Sequence, residues 1–293
     1  MITLTTDFGL RDGYVAAMKG TMLSIHADAR LVDVTHQIDP QDVMEAAFVL
    51  NTAVPYTPEG SVHLVVVDPG VGTERRAVAV KSDGHWYVGP DNGVFPLVIG
   101  TETPERAVEL DNPSAWRTDA PSATFHGRDI FAPAAAHLDR GASLTDLGTP
   151  IDSLEPLRWA LPMTDEYTVQ GWVVHVDRFG NCITNIRRET LARAVDDRPV
   201  PAPSPNAQRQ EVDVPIDDVP PFKAYAGSSV LNNLHATYGE VAEGEPVMLF
   251  GSTGFLEISV NGGDASELLD IRKGDTVKLV FQHPDSPAFL DSA

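Results

Sequence analysis

The sequence has little cysteine and few basic residues. Cys182 is the single cysteine among 293 residues, which excludes an internal disulfide and any metal site built from several thiolates. Lysine and arginine total 21 against 42 acidic residues, and the formal net charge is −21. A chain of this charge repels the phosphates of nucleic acids and of anionic membranes. We therefore expect neither nucleic acid nor membrane as a partner.

The acidic residues are spread along the chain rather than gathered in a tail. A solvated surface adapted to high salt has this composition, and so does an ordinary acidic bacterial protein. Both a halophilic origin and the ordinary alternative are compatible with the sequence.

Long hydrophobic runs are also missing. No apolar stretch approaches the roughly 18 residues that a membrane-spanning helix requires. The first residues, "MITLTTDFGL", enter a strand pattern without a preceding basic region, so we expect no signal peptide and a cytoplasmic protein. A chain of 293 residues is long enough for one large domain or two ordinary ones.

Residues 1–150 alternate strand and helix patterns. The strand patterns are "ITLTTD", "LVDVTH" and "VHLVVVD", followed by "RAVAVKS" and "HWYVG". Helical spacing of apolar residues occurs in "GYVAAMKGTMLSIHA", in "PQDVMEAAFVLNTAV", which Pro40 is expected to open, and in "DIFAPAAAHLDRG". This alternation predicts an α/β domain with a mostly parallel sheet covered on both faces.

The second part of the chain has a different pattern. Residues 151–166 are rich in proline and turn residues and are expected to form a linker. Residues 167–293 contain short strand patterns separated by glycine and aspartate, which predicts a smaller all-β domain, a sandwich or a barrel. Within it, the proline-rich residues 194–222 are expected to form a long surface excursion.

Polar side chains follow the strand patterns of the first domain. Asp7 and Asp68 each come after a strand, and the carboxyl ends of parallel strands share one edge of a sheet, so the two residues are expected to converge. The loops match neither the dinucleotide fingerprint nor the P-loop. A simple turn at Asp68-Pro69-Gly70 is the alternative explanation.

Histidine offers a further candidate, and with it a possible metal site. His126, in "FHGRDIF", is either a site residue or a hydrogen-bonded core histidine. A metal site could in principle use Asp7, His36, Asp68 and His126. No ligand spacing supports such a site, so we expect no metal.

The second domain contains one dense polar stretch, "VDRFGNCITNI". It brings Asp177, Phe179 and Asn181 close together. An aromatic face beside a carboxamide is what a purine pocket needs. A hairpin turn between two strands uses the same residue types, and the residues alone leave both interpretations open.

The motifs taken together resemble one family. The stretches "TTDFG", "VVVDPGVGTERR", "TFHGRDIFAPAAAHL", "DRFGNCITNI" and "GSTGFLEISVNGGDAS" are similar to the S-adenosylmethionine (SAM) hydroxide adenosyltransferases, which are relatives of fluorinating and chlorinating enzymes. The resemblance covers almost the whole chain and departs mainly in 194–222. It implies an α/β N-terminal domain and a β-barrel-like C-terminal domain. It also implies a homotrimer whose sites lie between the N-terminal domain of one subunit and the C-terminal domain of its neighbour.

The resemblance also implies a reaction, the hydrolysis of SAM to adenosine and L-methionine with SAM as substrate and no cofactor. Asp68, Arg75 and His126 would be the triad that holds and polarises water. The implied substrate-binding residues are Asp7 for the ribose hydroxyls, Asp177 and Ser252 for the methionine amino acid end, Asn181 and the backbone near Gly262 for the adenine edge, and Phe179 and Tyr238 for the adenine faces.

Departures from the halogenating relatives favour water over halide. Those enzymes have a serine that touches halide where this chain has Gly127. The fluorinating enzymes have a tyrosine at the position of Asp68, and a long inserted loop where "DG" alone joins two strands here. Hydrolysis is therefore the expected reaction. A chlorinase-like halogenase and a non-catalytic protein that binds nucleoside or SAM are the alternatives.

Overall fold

The computed structural model describes residues 1–100, 103–156, 161–165, 167–194 and 221–281. The described residues fall into two compact units, one ending at residue 156 and one beginning at residue 161. Nearly all of the excursion expected over 194–222 lies outside the described residues.

The first unit is an α/β domain built around a seven-stranded sheet. Its strands are β1 (Ile2–Thr6), β2 (Leu31–Thr35), β3 (Val62–Val66), β4 (Ala77–Ser82), β5 (His85–Pro90), β6 (Arg106–Glu109) and β7 (Thr149–Ile151). They lie in the order β2-β1-β3-β5-β4-β6-β7. Its α-helices within the described ranges are α1 (Tyr14–Ile25), α2 (Val43–Ala53), α3 (Pro96–Ile99) and α4 (Ala132–Asp139).

This sheet is parallel over one half and antiparallel over the other. Strands β2, β1, β3 and β5 are parallel neighbours. Strand β4 runs antiparallel to β5 because Asp83 and Gly84, at φ 49° and 74°, join the two in a tight hairpin. Strands β6 and β7 continue the antiparallel half. The expected α/β class is confirmed, with a mixed sheet in place of a mostly parallel one.

Helix α2 begins three residues later than its proline predicts. The Asp42 side chain accepts a 2.8 Å hydrogen bond from the Glu45 backbone N–H, which makes Asp42 the N-cap. Gln41 has φ 69°, a left-handed conformation that a helix does not contain. Pro40 therefore lies in the loop before the helix, and this loop returns to the end of strand β1.

The apolar faces of α1 and α4 cover the parallel half of the sheet. Buried side chains from strands and helices meet there, among them Ile2, Leu4, Met18, Leu64 and Ala135. Strands β1 and β3 are buried along their whole length, as expected for strands covered on both faces, although β1 includes three threonines and β3 one histidine. The polar residues that follow these strands are thereby held on a rigid edge.

The second unit is a β half-barrel. Its strands are β8 (Met163–Thr164), β9 (Thr168–Val176), β10 (Cys182–Arg187), β11 (Phe222–Ala226), β12 (Ser229–Leu231), β13 (Leu234–His235), β14 (Pro246–Phe250), β15 (Phe255–Val260) and β16 (Thr276–Phe281). The order is β12-β11-β16-β9-β10-β15-β14-β13, with β8 also paired to β9. Two short helices, α5 (Arg188–Ala194) and α6 (Ala265–Leu268), complete the described part of this unit.

Strand β9 connects the two halves of this sheet. Its first residues pair with β16 and its last residues pair with β10, both antiparallel. The inner face carries an apolar core that includes Val169, Ile186, Leu256 and Leu279. The expected all-β second domain is confirmed. No helix within the described ranges is long and apolar enough to cross a membrane.

Candidate active site

Two neighbouring parallel strands deliver carboxylates to the same edge of the first sheet. Asp7 follows β1 directly, and Asp68 comes two residues after β3. The negative charge of Asp68 contributes to raising the pKa of Asp7, although burial of Asp7 is the larger cause. The convergence expected from the parallel pairing is therefore present in the structure.

The loop after Asp68 returns an arginine to that carboxylate. Arg75 Nε donates a 2.9 Å hydrogen bond to Asp68 Oδ1, and Arg75 Nη2 donates to Asp68 Oδ2. Backbone hydrogen bonds at Val71 and Thr73 close the loop into turns, so Asp68 begins a turn and also binds Arg75. The guanidinium lies over the Phe131 ring, 5.1 Å from its centroid, and both charged side chains are largely buried.

His126 completes what we call the Asp–Arg–His cluster, formed by Asp68, Arg75 and His126. Arg75 Nη2 lies 2.9 Å from His126 Nδ1. An arginine side chain has donors only, so Nδ1 must be the acceptor and the neutral imidazole carries its proton on Nε2. Burial and the Arg75 charge lower the pKa of His126, which favours this neutral form.

A buried aspartate anchors the segment that carries His126. The π-helical turn Gly127–Phe131 begins directly after the histidine. Asp129, fully buried, accepts hydrogen bonds from Arg128 Nε (2.8 Å), Arg117 Nε (2.6 Å) and the Ser122 N–H (2.9 Å). These donors, led by Arg128, hold the pKa of Asp129 well below its usual range. The imidazole is thereby fixed relative to Arg75.

Glycine at position 127 is closely surrounded by core side chains. A Cβ atom there would stand 3.2 Å from Val66 Cγ1 and 3.3 Å from Met18 Sδ. Both neighbours belong to the core beneath the sheet edge. A larger side chain at this position would need these neighbours to shift by a few tenths of an ångström.

Asp7 stabilises the loop before helix α2. Its Oδ2 accepts a 2.8 Å hydrogen bond from the backbone N–H of Gln41, the residue at positive φ. Desolvation outweighs this hydrogen bond, and the pKa of Asp7 is raised. A carboxylate in this environment gains from hydrogen-bond donors that a ligand supplies.

In the second unit, Asp177, Phe179 and Asn181 share the turn between β9 and β10. Asp177 Oδ1 accepts hydrogen bonds from the backbone N–H groups of Phe179 (2.8 Å) and Asn181 (3.0 Å). Asp177 Oδ2 accepts one from Asn181 Nδ2 (2.9 Å). Phe179 is 77% exposed at the tip, whereas Asn181 is buried. The hairpin turn, which was the alternative to a purine pocket, is present. This turn leaves the Phe179 ring exposed at its tip.

The other three expected binding residues lie in loops of the second unit. Tyr238 begins a single 3-10 turn (Tyr238–Glu240), and its hydroxyl donates a 2.5 Å hydrogen bond to Glu257 Oε1. Ser252 is exposed in the turn between β14 and β15. Gly262 follows β15 at φ 71°, a conformation that favours glycine.

Sequence reasoning did not select Glu257 or Phe131. Glu257 is the one charged residue in "FLEISV", a strand whose six residues are all buried. A carboxylate inside an apolar strand could have drawn attention to it. Nothing in the sequence around Phe131 indicated that its ring would lie beneath Arg75, 56 positions away, since 131 − 75 = 56.

The acidic group closest to metal-site geometry among the described residues is Asp39, Asp42 and Glu45. Asp42 caps helix α2, and Glu45 Oε2 accepts the Asp39 N–H at 3.1 Å. This group includes none of the four residues considered for a metal from the sequence.

The two folds and the Asp–Arg–His cluster are those of a two-domain enzyme. Residues 2–148 match the SAM hydroxide adenosyltransferase N-terminal domain, and residues 171–278 match the C-terminal domain of the same family. The chain therefore belongs to the SAM hydroxide adenosyltransferase family.

Known relatives agree with this assignment over their full length. The chain is 41% identical over 286 residues to an (R)-S-adenosyl-L-methionine hydrolase of Thermus thermophilus, covering 94% of this chain and 97% of that protein. It is 28% identical over 306 residues to a fluorinase of Actinopolyspora mzabensis, covering 95% and 96%. The crystal structure of an uncharacterised conserved protein from Thermotoga maritima matches with a TM-score of 0.82 and 36% identity, covering 96% of this chain and 100% of that one.

Proposed function

We propose that this protein hydrolyses (R)-S-adenosyl-L-methionine to adenosine and L-methionine. The observation that carries the proposal is the hydrogen-bonded Asp–Arg–His cluster, in a chain 41% identical over its length to an (R)-S-adenosyl-L-methionine hydrolase. The fluorinase is the more distant relative, at 28% identity.

The reaction makes limited demands on the enzyme. A water oxygen forms a bond to ribose C5′ as the C5′–S bond breaks, and the bonding electron pair stays on sulfur. The sulfonium leaves as a neutral thioether, so the leaving group needs no acid. The enzyme has to orient the water, exclude bulk solvent and accept one proton.

Within the cluster we assign His126 as the donor that orients the water. Its Nδ1 accepts from Arg75, so only the Nε2–H faces other partners, and that atom cannot take a proton. Asp68 accepts one hydrogen bond on each oxygen from Arg75 and keeps further lone pairs. We assign Asp68 as the acceptor of the water proton and Arg75 as the cation that stabilises the developing hydroxide.

The substrate-binding assignments follow the expectations from the family. Asp7 binds the ribose hydroxyls, and its raised pKa supports a site where ligand donors replace water. Asp177 and Ser252 bind the methionine end, and Asn181 and the Gly262 backbone bind the adenine edge. Phe179 and Tyr238 flank the adenine, and the high exposure of Phe179 supports a ring that stacks on a ligand.

We infer further that the protein acts in the cytoplasm as a homotrimer, with each site shared by neighbouring subunits. The shared site follows the expectation from the family, and the assigned residues are divided between the two units as that expectation requires. Asp7 and the Asp–Arg–His cluster belong to the first unit, whereas the assigned adenine and methionine residues belong to the second.

Chromatography of SAM incubated with the purified protein tests the reaction. Adenosine and methionine should form with and without molar chloride, and His126→Ala should form both at least about 100-fold more slowly. Chlorodeoxyadenosine formed only with chloride would identify a halogenase instead. SAM that stays bound without any product would identify a binding protein.

A further inference from the structure

Glu257 is a buried carboxylate for which the assignments above leave no role. It lies in the middle of strand β15 and is 6% exposed. Its Oε1 accepts two hydrogen bonds, from Tyr238 Oη at 2.5 Å and from Ser259 Oγ at 2.8 Å. Both donors are neutral hydroxyls, so neither balances the charge of the carboxylate.

The second oxygen, Oε2, accepts no hydrogen bond from the part of the chain that the structure describes. No lysine, arginine or histidine of that part forms an ion pair with Glu257. This oxygen is not among the fully buried polar atoms that lack a partner in the described part of the chain, so it is open to solvent. A donor from outside the chain can therefore reach it, and a charged donor would stabilise a carboxylate whose side chain is otherwise largely buried.

The position of Oε2 indicates where that donor would lie. The oxygen lies against the backbone of Gly251, where an added Cβ atom would stand only 2.6 Å from it. Gly251 directly precedes Ser252, the residue assigned to the methionine end of the substrate. Any side chain at 251 would fill the space beside Oε2.

The electrostatic surroundings favour a cationic donor. Burial, followed by the charges of Asp264, Asp177, Asp275 and Glu257, raises the pKa of Cys182 to about 12. Burial, Glu257 and Asp177 together raise the pKa of Tyr238. Several carboxylates thus act on one region of the half-barrel, and a positive ligand group is stabilised there.

We propose that Glu257 Oε2 accepts a hydrogen bond from the α-ammonium of the substrate, which makes Glu257 a specificity residue for the aminoacyl arm of SAM. This inference rests on the proposed function. An ammonium suits the site better than the adenine amino group because it carries a full positive charge. Glu257 then discriminates between ligands that carry the aminoacyl arm and nucleosides that lack it.

Two probes separate the aminoacyl arm from the nucleoside. S-adenosylhomocysteine carries the α-ammonium, and 5′-methylthioadenosine has the same nucleoside and a thioether but no ammonium. In Glu257→Gln, calorimetry should show a Kd for S-adenosylhomocysteine that is about 10- to 100-fold higher, because a charge-assisted hydrogen bond is lost. The Kd for 5′-methylthioadenosine should stay within about twofold.

The matched control is Glu267→Gln, an exposed glutamate of the same unit, which should bind both probes like the wild type. Glu257→Asp keeps the charge but shortens the side chain, and it should show the same selective loss if Glu257→Gln does not fold. Equal weakening of both probes would overturn the proposal in favour of a structural or adenine-binding role, and so would no weakening of either.

Turnover of SAM by the wild type is measured in parallel. Absence of turnover with a preserved difference between the two probes would refute the hydrolase function and leave the ammonium contact standing. Turnover with no difference between the two probes would support the hydrolase function and refute the ammonium contact.

Discussion

His126 illustrates how a single contact decides the chemistry of a residue. A histidine has two nitrogens, and either can be the base in the neutral form. Arg75 Nη2 donates a 2.9 Å hydrogen bond to His126 Nδ1, so the proton of the neutral ring is on Nε2. The same arginine lowers the pKa of the imidazole. His126 is therefore held as a neutral donor, which is the basis for the proposal that Asp68 accepts the proton.

We predict that His126→Gln retains far more activity than His126→Ala. The glutamine amide reaches the Nε2 position and still donates, whereas alanine donates nothing. Alanine should lower kcat by about 100-fold or more, the effect of removing a preorganised donor, and glutamine by about tenfold. His126→Asn is the matched control, because its amide ends near Nδ1. Equal loss in the glutamine and alanine variants would show that His126 takes the proton.

At the scale of the element, the β9–β10 hairpin is held in shape by its contact with helix α6. Gly180 has φ 81°, and a Cβ atom there would stand 2.1 Å from Asp264 Cγ. The Ser266 N–H donates to the Gly180 carbonyl at 3.1 Å. The hairpin tip and the helix N-terminus are therefore packed against each other and hydrogen-bonded.

Gly180→Ala should destabilise the second unit and weaken substrate binding together. Overpacking and the left-handed conformation are each unfavourable, and we expect a loss of about 1–3 kcal/mol in the free energy of unfolding. The KM for SAM should rise because Phe179 and Asn181 flank the glycine. Gly274→Ala, also at positive φ but with open space around its Cβ position, is the control for conformation alone. Equal effects of the two substitutions would refute the steric part of this explanation.

A second feature at this scale joins three parallel strands. His63 on β3 hydrogen-bonds Thr3 on β1 (2.8 Å) and His85 on β5 (3.2 Å), and all three side chains are buried. Burial, reinforced by repulsion from His85, lowers the pKa of His63 to about 3. The folded chain therefore keeps His63 neutral where the unfolded chain protonates it.

Stability should consequently fall as the pH drops from about 6.5 toward 3. Above that window His63 is neutral in both states and has no effect. Within it the unfolded state binds the extra proton, and the free energy of unfolding falls by up to about 1.4 kcal/mol per pH unit for this one group. Urea unfolding at several pH values measures the slope. His63→Gln should reduce that slope, and an unchanged slope in this variant would refute the assignment.

At the scale of the whole molecule, the proposal that each site is shared by two subunits makes a prediction about mixed trimers. His126→Ala disables the first unit and Asn181→Ala disables the second. In a trimer with shared sites, each trimer that contains both variants should have one intact site out of three, which is about a third of the sites. Co-expression with two affinity tags isolates the mixed trimers, and the single variants give the baseline. No gain above that baseline would mean that each site belongs to one subunit.

Much of the architecture was predictable because its causes are local. Apolar alternation and helical spacing located β1, β3, α1 and α4. The antiparallel half of the first sheet was not predicted, because the apolar pattern of a strand does not indicate whether it runs parallel or antiparallel to its neighbours. The predicted start of α2 at Pro40 is wrong because the Asp42 side chain caps the helix and Gln41 has a left-handed conformation. Asp68 and Asp177 each form a turn and also bind a neighbouring side chain, so a turn at these positions is compatible with the proposed site roles.

The sequence by itself excluded an internal disulfide and a thiolate metal site, and it determined the two fold classes and the residues proposed for the site. Composition, periodicity and motifs depend only on the order of residues along the chain. The tertiary structure decided how those residues act. Arg75 meets His126 across 51 positions and Tyr238 meets Glu257 across 19, and only folded coordinates bring such pairs within hydrogen-bond distance. The tautomer of His126 and the donor-free oxygen of Glu257 follow from those contacts, since the position of a proton depends on which atoms lie within about 3 Å.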